Sequence, residues 1–154
     1  MSKPKILLAE DDITMVSLLK TLLKMEGFEV VDLHADADVP AAVRHERPDV
    51  LLMDVHLSRQ SGLEILDQLR HSADTKKVRV VMSSGASVKE ECIARGANGF
   101  LLKPFMPDDL ISLLKHVIHV WLCLPALTSR KNVCAAGHSD FYLNHTCRMN
   151  SSRY

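Results

Sequence analysis

Four sets of polar residues in this chain stand directly downstream of short apolar runs. Glu10-Asp11-Asp12 follow Ile6-Leu7-Leu8-Ala9, Asp54 closes Val50-Leu51-Leu52-Met53, Ser84 follows Val78 to Ser83, and Lys103 follows Asn98 to Leu102. Carboxylates gathered at one place repel, so such a cluster calls for a hard cation; Mg²⁺ takes one or two carboxylate oxygens and keeps waters for a phosphate. Beside it, Asp54 is placed to attack a phosphorus centre and form an aspartyl phosphate. Lys103 would offset the charge of the transferring group, and the Ser84 hydroxyl would donate to one of its oxygens. Each feature alone is ordinary. An acidic triplet is usually a solvated loop or helix cap, and an Asp ending a strand is usually a turn former. Their shared position is the signal.

That position depends on the elements between them. Ile6 to Ala9, Phe28 to Leu33, 49–53, Val78 to Ser83 and Asn98 to Leu102 read as strands, several of them continuous apolar runs of the kind buried on both faces. Met15, Leu18, Leu19, Leu22 and Met25 recur at helical spacing before Gly27. Ala35 to Glu46 is a weaker helix with Val39, Ala42 and Val43 on its apolar side. Ser61-Gly62 opens a third helix with Leu63, Leu66 and Leu69 inward. Val88, Cys92 and Ile93 mark a short fourth helix ending at Gly96. Asp108-Asp109 begins a fifth, with Leu110, Leu113, Leu114, Val117 and Trp121 as its stripe and acid in its first turn. Five strands alternating with five helices predict an α/β parallel sheet covered on both faces. In such sheets, ligands gather at the carboxyl ends of the strands.

Bulk properties exclude more than they assign. The 154 residues suit one domain with a real core, and 47% hydrophobic with 25% charged residues is ordinary for a globular chain. Lys+Arg and Asp+Glu both total 19, so net charge argues neither for nor against nucleic acid. From Trp121 onward Arg130, Lys131, Arg148 and Arg153 face Asp140 alone, a basic tail on a mildly acidic first part. No leader-like segment follows Met1, and no apolar run approaches the ~20 residues that span a bilayer. Cys92, Cys123, Cys134 and Cys147 do not form a secreted disulfide framework, which points to a reducing cytoplasm. From about Leu124 the periodicity stops, and the reading is one domain over 1–123 with a disordered or atypical extension over 124–154 and no output domain.

The residues 6–12, Leu51-Leu52-Met53-Asp54, Ser61-Gly62-Leu63-Glu64 and Phe100-Leu101-Leu102-Lys103-Pro104-Phe105 together resemble the receiver domain of two-component response regulators, from about Lys5 to Val120. Within that family the chain is similar to the single-domain, chemotaxis-type members. The resemblance implies a flavodoxin-like doubly wound sheet of order 2-1-3-4-5 flanked by five helices. It implies Asp54 as phosphoacceptor and Asp11 and Asp54 as Mg²⁺ ligands, with Mn²⁺ as a substitute. Glu10 would act mainly through a metal-bound water, and the His56 backbone carbonyl would be the third protein ligand. Counting from Asp54 through Gly62 sets Ser84, not Ser83, at the switch hydroxyl, and Phe100 falls at the switch aromatic. Lys103-Pro104 matches the family's cis peptide. Asp12 lies one place beyond the acidic pair and reads as the cap of the first helix.

Two departures stand out. The segment between Ser84 and Lys103 is shorter than in typical members, which implies a truncated fourth helix and leaves partner choice open. His56 and Ala86, two places after Asp54 and Ser84, face the route of attacking water and are expected to set phosphoryl lifetime. The expected function is a phosphorylation switch rather than an enzyme, with at most self-phosphorylation from small donors and self-dephosphorylation. A histidine kinase or histidine phosphotransfer protein would supply the phosphoryl group. Output would pass through the helix 4, strand 5 and helix 5 face to an unknown downstream protein or a phosphorylation-dependent homodimer, with no direct nucleic-acid or membrane contact. The alternative is a haloacid-dehalogenase-like phosphohydrolase with Asp54 as nucleophile, which wants an acid where His56 stands. A flavodoxin-like electron carrier would want a glycine- and hydroxyl-rich phosphate cradle where Glu10-Asp11-Asp12 would repel one. Cys134, His138, His145 and Cys147 have zinc-ligand chemistry but no finger-like spacing.

Overall fold

The computed structural model describes residues 3–34 and 36–122. Within them β1 (Lys5–Ala9), α1 (Ile13–Met25), β2 (Glu29–Asp32), α2 (Val39–Glu46), β3 (Val50–Asp54), α3 (Gly62–His71), β4 (Arg79–Ser84), α4 (Lys89–Ala94), β5 (Gly99–Leu102) and α5 (Pro107–Leu122) alternate along the chain. The strands form one parallel sheet in the order β2-β1-β3-β4-β5. The expected extension over 124–154, with Cys134, His138, His145 and Cys147, lies outside the described residues, as does the side chain of Trp121.

The apolar runs are continuous because both faces of the sheet are covered. Successive side chains of a strand alternate between faces. Ile6 and Leu8 of β1 therefore join Val50, Leu52, Val81 and Leu101 in a core against Leu19, Leu23, Leu110 and Leu114 of α1 and α5. Leu7 and Ala9 join Leu51, Met53, Val80 and Met82 against Val43, Ile65, Leu66, Leu69 and Cys92 of α2, α3 and α4. Neither layer would survive alone.

The helices depart from the sequence reading where a stripe was drawn too wide. In α1, Leu18 is 61% and Met25 81% exposed, whereas Leu23 is fully buried. The inward set is Met15, Val16, Leu19, Leu22 and Leu23, a face about 100° wide, and Leu18 and Met25 fall outside it. Leu63 is only half-buried because Ile65, Leu66 and Leu69 occupy the inner face of α3. The second helix begins at Val39, later than Ala35, where the Asp38 side chain accepts from Ala41 N (2.9 Å). Asp12 caps α1, accepting from Thr14 N (2.8 Å) and Met15 N (3.2 Å). Ser84 belongs to β4 itself, and α4 is a helix of 6 residues.

One contact at each edge of the sheet holds the strands and α3 in shape. Arg70 of α3 donates to the carbonyls of Gly96 (2.7 and 2.9 Å) and Val78 (2.9 Å) and to Asn98 Oδ1 (3.1 Å), tying α3 to the start of β4 and the turn before β5. Gly62 N donates to Val55 O (2.8 Å), closing the β3–α3 loop. A Cβ at Gly62 would stand 2.3 Å from the Asp54 carbonyl oxygen and 3.0 Å from Val55 Cα, both backbone atoms that cannot swing aside. Gly62→Ala is expected to destabilise the protein by about 1–3 kcal/mol, as overpacking of a tight contact does. Guanidinium unfolding of wild type and variant measures this, and equal midpoints would contradict the close approach.

Candidate phosphorylation site

Strand register decides what meets at the carboxyl edge. Ala9 pairs with Met53, Asp54 with Ser83, and Ser84 with Leu102. Glu10, next after Ala9, therefore stands level with Asp54, and Lys103 leaves β5 two residues beyond Leu101, which shares the level of Asp54 through Ser83. Lys103 N also donates to Ser84 O (2.7 Å), extending the pairing of β4 and β5 by one residue. Four loops converge because four strands end together.

Lys103 Nζ sits between two carboxylates, donating to Asp54 Oδ2 and Glu10 Oε2, both at 2.6 Å. The Glu10 side chain is 6% exposed, that of Asp54 12% and that of Lys103 20%, so this is a largely desolvated triad rather than a surface pair. The other Asp54 oxygen, Oδ1, accepts from His56 N (3.0 Å). Asp11 is engaged separately: its Oδ2 accepts from both the backbone N and the Oγ of Ser58, in the β3–α3 loop. The Lys103–Pro104 peptide is cis.

The remaining expected site residues lie around this centre at different depths. Ser84 is fully buried, and its Oγ accepts from Ala86 N (3.1 Å), leaving the hydroxyl proton to donate. Among the described residues that hydroxyl makes no bond to the Asp54–Lys103 pair. Ser83 is 3% exposed on the adjacent position of β4. Phe100 is half-buried against the core on the α2–α4 side. His56 and Ala86 are exposed at the rim. A cleft of about 400 Å³ opens beside Glu10 and Asp11, with His34, Asp36, Arg59 and Gln68 among its walls. Ser58 was not singled out by sequence, because a serine in a polar loop carries no signal until the path of the loop is known.

Among the described residues no three His, Cys, Asp or Glu side chains converge as metal ligands. Glu10 and Asp54 converge on an ammonium, and Asp11 on a serine. The donor chemistry nevertheless fits Mg²⁺, because the expected set needs only two carboxylates, Asp11 and Asp54, with the His56 carbonyl, all hard oxygens.

The model of the response regulator receiver domain matches residues 6–115. The chain belongs to that family. It is 32% identical over 114 residues to the transcriptional regulatory protein CpxR of Escherichia coli (strain K12), covering 74% of this chain and 49% of that protein. It is 29% identical over 118 residues to the phosphate regulon regulatory protein PhoB of Rhizobium meliloti (strain 1021), covering 75% of this chain and 52% of that one. The chain thus spans about half the length of the curated relatives it matches. Among solved structures it is similar to the chemotaxis response regulator CheY4 of Vibrio cholerae, with 28% identity, a TM-score of 0.69, and coverage of 75% of this chain and 99% of that one. The receiver domain of the sensor histidine kinase PA1611 from Pseudomonas aeruginosa PAO1, solved with magnesium coordinated in its active-site cleft, shares the fold at 24% identity, a TM-score of 0.67 and coverage of 77% and 99%. The receiver domain is a phosphorylation-activated signalling switch of two-component systems, a signalling rather than an enzymatic family whose members interact with histidine kinases and downstream effectors. These relatives lend no support to the phosphohydrolase alternative.

In this receiver, burial pushes the Lys103 ammonium down, but the hydrogen bonds and charges of Asp54 and Glu10 outweigh it and the net displacement is upward from 10.5. A group whose folded pKa is raised contributes stability that is complete below its unfolded value and is lost as pH climbs through the folded one. Lys103→Met is therefore expected to cost about 2 kcal/mol near neutral pH, the scale of a hydrogen bond to a charged group. That difference should stay level up to the unfolded value of 10.5 and shrink above it. Paired urea unfolding curves across that range in metal-free buffer measure it; a gap that widens above 10.5 would contradict the assignment.

Proposed function

We propose that Asp54 accepts a phosphoryl group from the phosphohistidine of a histidine kinase or histidine phosphotransfer protein. The observation that carries this reading is the setting of the Asp54 carboxylate, held at one oxygen by Lys103 Nζ (2.6 Å) and at the other by His56 N (3.0 Å) at a sheet edge. A carboxylate oxygen of Asp54 bonds to phosphorus as the bond from phosphorus to the donor imidazole nitrogen breaks, and that nitrogen keeps the electron pair. His56 N–H and Lys103 orient the carboxylate for in-line attack. Mg²⁺, held by Asp11, Asp54 and the His56 carbonyl and touched by Glu10 through water, would neutralise phosphoryl oxygens; Mn²⁺ has the ligand preference to replace it.

The product carries more negative charge and more acceptor oxygens than the carboxylate it replaces. Lys103 then exchanges a carboxylate for a phosphoryl oxygen, and the uncommitted proton of the Ser84 hydroxyl gains an acceptor. Movement of Ser84 toward that acceptor withdraws it from Ala86 N and opens space that the half-buried Phe100 ring can take up. The face of α4, β5 and α5 shifts between two populations and passes the signal to a downstream protein or a second copy of the chain. The working unit is the receiver over 1–123, in the cytoplasm. Among the described residues no helix is long and apolar enough to cross a membrane.

Mg²⁺-dependent labelling with a small phosphodonor tests the acceptor. Asp54→Ala is expected to lose the label, and undiminished labelling in that variant would sink the assignment. Label in wild type should reach about one equivalent and stop, where a phosphohydrolase would turn the donor over. The exposed His56 and Ala86 flank the route of the attacking water, so His56→Asn should change the decay rate of the label severalfold without changing its extent. Identical decay would remove His56 from that role.

A further inference from the structure

The oxygen of Asp11 that faces the β3–α3 loop already has two donors from one residue. Both the amide and the hydroxyl of Ser58 bond to Asp11 Oδ2, across 47 positions of sequence. We propose that Ser58 is an internal competitor for the cation, a positioning residue that caps Asp11 and sets how readily Mg²⁺ binds; this rests on the reading of Asp11 as a metal ligand. A hydrogen-bond donor and a cation seek the same carboxylate lone pairs. Two donors saturate that oxygen and draw on the charge of the whole carboxylate, so a cation must either displace a Ser58 bond or bind the other oxygen of a carboxylate whose charge and orientation Ser58 already engages.

The loop is built for that exchange. It is anchored downstream by the Gly62 N to Val55 O bond (2.8 Å) and the bridge between His56 and Ser61. Between those anchors Ser58 is exposed, and its neighbour Arg59 pairs with Asp36 (2.6 Å) through side chains that are 71% and 67% exposed. An ion pair so open to water holds a loop weakly. The hydroxyl of Ser58 can rotate away without backbone motion, whereas its amide can leave only if the loop shifts. Mg²⁺ binds receptor carboxylates against its own reluctance to shed water, so a competing donor weighs on its affinity.

The test compares wild type, Ser58→Ala and Ser58→Thr by isothermal titration with MgCl₂, beside amide hydrogen exchange of the metal-free proteins. Ser58→Ala removes the hydroxyl donor and should bind Mg²⁺ up to about tenfold more tightly, the equivalent of one hydrogen bond to a charged group. Ser58→Thr keeps the hydroxyl and should return to wild-type affinity. In the metal-free wild type the Ser58 amide should be protected from exchange, and Asp11→Ala should abolish that protection. Equal or weaker binding by Ser58→Ala overturns the competitor role while leaving the metal site standing, as does an unprotected Ser58 amide. Absence of binding by wild type and Ser58→Ala alike overturns the metal reading, and this proposal with it.

Discussion

An ammonium group 2.6 Å from two largely buried carboxylates is the interaction that the rest of this receiver domain is arranged to permit. Taking Glu10, Asp54 and Lys103 out of water is costly, and the cost is recovered only if the three meet with good geometry. Glu10 follows β1, Asp54 ends β3 and Lys103 follows β5, so none of them can be positioned by local structure. The sheet must bring three strands level. Even then one positive charge serves two carboxylates, and Asp11 stands close by. The arrangement is short of positive charge by construction, and that deficit is what a divalent cation or a phosphoryl-bound cation can relieve.

The sheet achieves this with side chains that carry no chemistry. Parallel register brings Ala9, Met53, Met82 and Phe100 to one level, and burial on both faces prevents slippage, since a shift by one residue would exchange the two cores. The loops can then be polar and short. Gly62 shows how little freedom remains there: a helix begins so close to the Asp54 carbonyl that a methyl group has no room. Function at the edge therefore depends on packing at some remove, including the Arg70 clamp that joins α3 to the turn before β5.

How much of this was legible in the sequence follows from what each residue's position depends on. Asp54, Glu10 and Lys103 were legible because a polar residue ending a buried apolar run has its place decided by the strand. Asp12 was legible as a cap because capping is a matter of three residues. Leu18 and Met25 misled because leucine and methionine at helical spacing mark a helix but not which 100° of it faces inward; Leu23, one step round, took the buried place. Ser58 and Arg70 were not legible at all. One sits in a loop whose path no local rule dictates. The other looks like a solvated helix residue until the carbonyls of Gly96 and Val78 are seen to lie within its reach.

The same logic separates the chemistry from its readout. The reacting groups are held by strands, whose register tolerates no alternative, whereas the surface expected to change is built on α4, only 6 residues long and without a side-chain cap at its start. A helix that short contributes little stability of its own and takes its position from what it packs on, here chiefly β5, with its own Cys92 buried in the core. Movement at Ser84 or Phe100 need therefore overcome only a few contacts to displace it. On the proposed function, a rigid edge that performs one reaction would border an element weakly enough held to report it, and variation in α4 would redirect the signal without disturbing the triad of Glu10, Asp54 and Lys103.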